Sequence, residues 1–276
     1  MSKKICLIIG DPIDHSLSPV MHNAGYRALG IDSEYIFLKK RVGANETKKA
    51  INEMREKNYR GLTCTMPHKI EVMKYLDEID NSAKKIGAVN TVINNNGRLK
   101  GYNTDWIGVA KSLEKITVLK NKKVALIGAG GASRAAIFGL SQEGAIITIF
   151  NRTLEKAEKL AKEFNCQAES IEDIEKIKDY DIIINATSIG MEPNSNLTPV
   201  SQKYLLKNQI VFDFIYNPLE TRLLREAREV GAKTISGLEM LLYQGAKQFE
   251  YYTGRIAPLE AMRNGLMSNL DKLCKI

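Results

Sequence analysis

The sequence contains no apolar run near the roughly 20 residues needed to cross a bilayer, and its opening MSKKICLIIGDP breaks at Gly10-Asp11 without a cleavage-site pattern. The expectation is a cytoplasmic chain with no membrane partner, beginning with a strand. Cysteine is scarce: Cys6, Cys64, Cys166 and Cys274 are far apart and lack the paired spacing of a zinc or redox site, so reduced packing residues and no metal are expected. His15, His22 and His68 show no ligand spacing and receive no chemistry, His68 being as readily solvated as functional. Neither a repeat of fixed period nor a low-complexity tail is present, which excludes a solenoid or a disordered arm. An excess of one charge sign exists but is not massed. The 40 Lys and Arg against 32 Asp and Glu give +8, spread along helical faces among glutamates. That pattern argues against a nucleic-acid partner, and a phosphorylated small molecule suffices as the anionic one.

What is present is alternation. The 276 residues, 44% hydrophobic and 26% charged, suffice for two domains with separate cores. Strand-like runs are read at Ile5–Ile9, Glu34–Leu38, Gly61–Thr65, Ala88–Ile93, Val124–Ile127, Ile146–Phe150, Ile182–Asn185, Ile210–Asp213 and Thr234–Ile235. Most are separated by helical patterns such as Leu154, Ala157, Leu160, Ala161 and Phe164. This βαβ alternation predicts an α/β protein with mostly parallel sheets. Around NNNG at 94–97, the runs Ala88–Ile93 and Arg98–Tyr102 read as a hairpin. Beyond Asp105 an amphipathic stretch leads to a fresh strand. The domain boundary is placed there, giving 1–104 with 239–276 as one domain and 105–238 as the other.

The second domain opens with KKVALIGAGGASRAA, a strand ending at Ile127, glycines at 128, 130 and 131, and a helix from near Ala132. Small residues in that context let a backbone approach a pyrophosphate, with helix-start N–H groups pointing at it. Ser133 stands where the dinucleotide fingerprint has a third glycine, and a ligand-free turn is the alternative. NAD-binding folds place an acid at the end of the next strand, about 20 residues on. The strand AIITIF ends instead in Asn151-Arg152-Thr153. A guanidinium and a hydroxyl suit a 2′-phosphate and hence NADP. Singly, Arg152 is also explained as a surface residue and Thr153 as a helix N-cap.

In the first domain, Ser18-Pro19 of DPIDHSLSPVMHNAG reads as an N-cap and first helical residue facing the loop that holds Ser16. Two hydroxyls and a helix N-terminus can hold a carboxylate, although Ser18 is also explained by capping alone. In GLTCTMPHK, Lys69 follows a strand and a proline, and Asp105 follows the hairpin in LKGYNTDWIG. A Lys–Asp pair suits hydride transfer to or from a secondary alcohol, the lysine moving the proton and the carboxylate orienting it. A structural ion pair is the alternative.

The motifs HSLSP, TMPHK, GAVNT, GYNTD, GAGGASRA, NRT, NATSIGM, DFIYNP and GLEMLLYQG occur in order along essentially the whole chain. Together they resemble the shikimate dehydrogenase family, with wording in SLSPVM and TMPHK similar to its quinate/shikimate branch. The resemblance implies an N-terminal substrate domain completed by the C-terminal helices, and a Rossmann-like NADP-binding domain. It implies NADP-dependent reduction of 3-dehydroshikimate to shikimate in aromatic amino acid biosynthesis, and allows a homodimer. A quinate/shikimate dehydrogenase using either cofactor, and a catalytically silent regulator, are the alternatives. By the same resemblance, Lys69 and Asp105 are the catalytic pair, and Ser16 and Ser18 bind the substrate carboxylate. Thr65, Asn90 and Gln244 bind ring hydroxyls, with Tyr216 lining the site. Gly128, Gly130, Gly131, Ala132, Asn151, Arg152, Thr153 and Thr187 contact the cofactor, with Gly237 and Met240 at its nicotinamide end. Two departures stand out: Thr63 replaces an asparagine in the pattern Asn-x-Thr-x-Pro-x-Lys, and Trp106 follows the acid where glycine is frequent.

Overall fold

Each apolar run pairs with others because a strand buried on both faces satisfies its backbone only in a sheet. The computed structural model describes residues 3–273, and Cys274 lies outside them. Two compact α/β units result, one of residues 1–105 with 241–276 and one of 106–240. The sequence reading puts 105 in the second and 239–240 in the first. Side-chain contacts decide otherwise: Asp105 is bonded to Lys69, while Met240 packs in the core of the second unit.

The first unit contains β1 (Lys4–Gly10), β2 (Tyr35–Arg41), β3 (Gly61–Cys64), β4 (Glu78–Ile79), β5 (Thr91–Asn95) and β6 (Arg98–Tyr102), ordered β2-β1-β3-β5-β6-β4. β1 runs parallel to β2 and β3, and β4 to β6, whereas β5 is antiparallel to both neighbours. The turn joining β5 to β6 is Asn96-Gly97, both at positive φ, as a two-residue hairpin with right-handed twist demands. Leu7, Ile9, Leu62 and Val92 pack against Ile51 and Met54 of the helix Thr47–Glu56. Helices Ser18–Ala28 and Gly237–Thr253 also pack together. A Cβ at Gly245 would lie 2.0 Å from the Met21 methyl, so any side chain there would force Met21 to move.

The second unit contains β7 (Lys123–Ile127), β8 (Ile146–Asn151), β9 (Gln167–Ser170), β10 (Ile182–Asn185), β11 (Ile210–Asp213) and β12 (Lys233–Ile235). All are parallel, in the order β12-β11-β10-β7-β8-β9. The chain starts at the centre, runs to one edge, and returns to build the other half. This is the Rossmann order, and its switch point lies between β7 and β10.

The strand expected at Ala88–Ile93 begins later, at Thr91: the Val89 N–H turns to Lys69 O, while Asn90 still bonds Tyr102 O and the Cys64 N–H. β4 and β9 are additions. Two residues, and the polar QAES, offer no hydrophobic period to detect.

Candidate active site

The short helix His68–Glu71 follows β3 and carries Lys69, whose Nζ donates to Asp105 Oδ2 at 2.7 Å. The other carboxylate oxygen accepts from Asn90 Nδ2 at 2.8 Å, and the Asp105 N–H bonds Asn103 Oδ1 at 3.0 Å. Asp105 is 7% exposed in its side chain and Lys69 24%, so the acid is buried while the lysine is partly exposed. Asn90 is the hub. Its Oδ1 accepts from the Thr104 N–H at 2.8 Å and the Thr91 hydroxyl at 2.7 Å, and its amide nitrogen lies 3.4 Å from Gln244 Oε1.

Lys69, Asp105, Asn90 and Gln244 are thus brought together. Thr65 sits at the same strand end, half-buried, and Gly10 is close enough that a side chain there would strike its methyl at 2.4 Å. Through this approach the loop containing Ile13 and Ser16 lies against residues 65–66. Ser16 Oγ accepts the Ser18 N–H at 3.3 Å, and the helix Ser18–Ala28 has Leu17, not Ser18, at its N-cap. The expected serine cap is therefore corrected: Ser18 is the first helical residue and Pro19 the second. Ser18 itself is buried.

His68, for which the sequence allows a solvated ring as readily as a functional one, is buried in the structure. Its ring nitrogens meet Thr47 Oγ1 at 2.7 Å and Val42 O at 2.9 Å, which pins the turn carrying Lys69. No sequence signal marks these contacts, since Thr47 is 21 residues away. His22 is buried too, stacked on Phe37 with ring centroids 4.2 Å apart, and burial pushes its pKa down to about 3. Cys6 and Cys64 are free, buried and pushed up to about 12 by that burial, and Cys166 is free and half-buried. Among the described residues no group of three or more His, Cys, Asp or Glu is placed to hold a metal ion.

In the second unit Gly128 ends β7's run at φ +109°, where an added side chain would lie 2.9 Å from Thr187. Around Gly130 and Gly131, at the start of the helix Gly131–Gln142, nothing lies within 4 Å of an added Cβ, and Ala132 continues the first turn. That open backbone fits a pyrophosphate. Ser133, in place of the third glycine, is fully buried, and its hydroxyl accepts the Gly130 N–H at 3.2 Å. β8 ends at Asn151, whose amide donates to Thr153 O at 2.7 Å. Thr153 occupies the N-cap of the helix Leu154–Phe164 without a side-chain cap bond. Arg152 is exposed and makes no ion pair among the described residues. A guanidinium and a spare hydroxyl therefore stand where an NAD site has an acid, which fits a 2′-phosphate. Thr187, Tyr216, Gly237 and Met240 also belong to this unit. Gly237 packs against the Phe214 carbonyl so closely that an added Cβ would lie 2.1 Å from it. Tyr216 is half-buried, and burial raises its pKa.

The family model for the shikimate dehydrogenase substrate binding domain matches residues 8–92, that for shikimate / quinate 5-dehydrogenase 110–215, and that for the shikimate 5'-dehydrogenase C-terminal domain 237–267. The chain belongs to the shikimate dehydrogenase family. It is 44% identical over 275 residues to a shikimate dehydrogenase (NADP(+)) of Methanococcus maripaludis, covering 97% of each chain. A crystal structure of shikimate dehydrogenase in complex with NADP+ superposes with a TM-score of 0.93 at 44% identity, over 97% of this chain and 96% of that one. The Thermus thermophilus enzyme in complex with NADP(H) and shikimate gives 0.89 at 34% identity, over 96% and 98%.

The two departures from the shikimate dehydrogenase pattern have structural settings. Thr63 is buried, its hydroxyl 2.7 Å from Tyr252 OH and 3.2 Å from Gln248 Oε1. Gln248 Nε2 in turn donates to Thr91 Oγ1 at 3.0 Å, and Thr91 to Asn90. Thr63 therefore ends a buried chain of hydrogen bonds reaching Asp105. Trp106 packs edge-on against Phe138 at 5.5 Å, and its backbone oxygen touches Gly139, so it anchors the start of its helix on Gly131–Gln142.

Proposed function

We propose that this chain is an NADP-dependent shikimate dehydrogenase, interconverting 3-dehydroshikimate and shikimate by hydride transfer within aromatic amino acid biosynthesis. The observation that carries the reading is the Lys69–Asp105 pair at 2.7 Å, braced by Asn90. It stands in a chain whose other unit has the dinucleotide strand order and an arginine in place of the ribose acid. Bound there, the reduced form NADPH would supply the hydride and the oxidised form NADP+ would accept it. Lys69 gives a proton to the carbonyl oxygen as it is reduced, or takes it from the alcohol in reverse, while Asp105 fixes the ammonium. Ser16 and Ser18 hold the carboxylate, Thr65, Asn90 and Gln244 the ring hydroxyls, and Tyr216 lines the substrate. Gly128, Gly130, Gly131, Ala132 and Thr187 hold the cofactor, with Asn151, Arg152 and Thr153 at the 2′-phosphate and Gly237 and Met240 at the nicotinamide.

The reading includes a cytoplasmic enzyme, where NADP and the pathway's metabolites are available, and association with a second copy, read by sedimentation. Steady-state assays with shikimate and quinate, each with NADP and NAD, test the core of it. Highest kcat/KM for shikimate with NADP is expected. Preference for quinate, or no turnover of any cyclic hydroxy acid, overturns it.

A further inference from the structure

Two loops leave the carboxyl edge of the parallel sheet beside its switch point, and one buried pair ties them. Asn185 ends β10 and Asp213 ends β11; they are register partners and both are fully buried. Asn185 Nδ2 donates to Asp213 Oδ1 and to Ile189 O, each at 3.1 Å. Its Oδ1 accepts the Thr187 N–H at 3.0 Å and the Thr187 hydroxyl at 2.7 Å. Asp213 Oδ1 also accepts the Ile215 N–H at 3.1 Å, and Oδ2 takes the Thr221 hydroxyl at 2.7 Å. The Thr221 oxygen then accepts the Leu224 N–H, capping the helix Arg222–Glu229. A single carboxylate thus gathers three donors, from the end of β10, the loop after β11 and the following helix cap.

An ordinary buried residue does not explain this choice. Burial disfavours the charged form and pushes the Asp213 carboxyl up to about 6. An amide would avoid that cost but offers only one acceptor oxygen, too few for three converging donors. The acid is therefore matched to the number of groups it fixes. Those groups end at Thr187, which lies against Gly128 of the glycine-rich turn so closely that no side chain fits between them.

We propose that Asp213 and Asn185 form a clasp that positions Thr187 against the glycine-rich turn and so sets the affinity of this protein for NADP. The proposal rests on the NADP reading given above. Asp213 is a positioning residue: it acts through Asn185 and the loop, not on the hydride or the proton.

The test compares wild type, Asp213→Asn and Asn185→Ala by calorimetric titration with NADP+, by kinetics over varied NADP+ and shikimate, and by thermal melting. Each variant is expected to weaken NADP+ binding and raise its KM by roughly tenfold, the scale of one lost bond to a charged or buried group. The kcat at saturating NADP+ should fall by much less than the affinity does. A folded variant with a lowered Tm but wild-type NADP+ affinity overturns the proposal, because a purely structural tie would act on stability alone. Should Asp213→Asn fail to fold, Asn185→Ala decides, since it leaves the carboxylate in place and frees Thr187. If wild type binds NADP+ but oxidises no shikimate, the activity reading fails while the clasp is still judged by the titration.

Discussion

In the proposed mechanism Lys69 and Asp105 differ first in exposure. The carboxylate, 7% exposed, has one oxygen on Asn90 and one on Lys69, so removing either partner changes how the other is presented. Lys69→Ala should lower kcat by roughly 10²- to 10⁴-fold with a smaller change in KM, the usual scale for a general acid or base. Asp105→Asn should act similarly, and the double variant should lose less than the two singles combined, since they share one interaction. Wild-type kcat in folded Lys69→Ala protein would end the assignment. At Arg152 the prediction concerns cofactor choice. Its guanidinium has no ion-pair partner among the described residues, and NAD lacks the phosphate it faces in the proposed complex. Arg152→Ala should cost about ten- to a hundredfold in kcat/KM with NADP, the scale of one charge-assisted contact, and almost nothing with NAD. Equal losses with both cofactors would assign Arg152 to the fold or the adenine pocket instead.

An element places a residue only as firmly as its own ties hold, and the turn from β3 into His68–Glu71 is tied by His68. One ring nitrogen meets the Thr47 hydroxyl and the other the Val42 carbonyl, all within the first unit. His68→Leu keeps the volume but strands both partners in a buried site. It should reduce stability by roughly 1 to 3 kcal/mol, as unsatisfied buried groups do. Because Lys69 is the next residue, kcat should also fall, by about tenfold. Denaturant titration and kinetics on the same preparation check both; unchanged kcat would mean that the helix places Lys69 without help from His68. Elements were legible in the sequence where burial is two-sided, as in Val124–Ile127 or Ile182–Asn185. They were illegible at Gln167–Ser170, whose pairing is an edge contact of polar residues. The glycine turn could be read because Gly128, Gly130 and Gly131 stand close together in sequence between a strand and a helix, and Gly128 needs its φ of +109°. His68 could not, because its need arises from residues brought near only by folding.

For the whole molecule the buried ionisable groups set a pH dependence whose sign can be worked out. His22 has its pKa pushed from 6.5 to about 3 by burial. Below pH 6.5 the unfolded chain therefore takes up a proton that the folded chain refuses, and folding loses about 1.4 kcal/mol per pH unit from this group until about pH 3. Asp213 works in the opposite direction, since its raised pKa favours the folded state as pH falls from about 6 toward 3.8. His22→Phe, which keeps an aromatic ring beside Phe37, should flatten the fall of Tm between pH 6.5 and 4 relative to wild type. An identical Tm profile in the two proteins would show that His22 does not carry this cost. The sequence by itself determined the α/β alternation, the glycine-rich turn, the missing ribose acid and the motifs naming the pair, because each is written in residue type at short spacing. Only tertiary structure decided that Ser18 is the first helical residue and not the cap, that Thr63 faces Tyr252 from 189 residues away, and that Asp213 gathers three donors. Those facts depend on which buried polar atoms meet, and a buried donor or acceptor finds its partner in space whatever the distance along the chain.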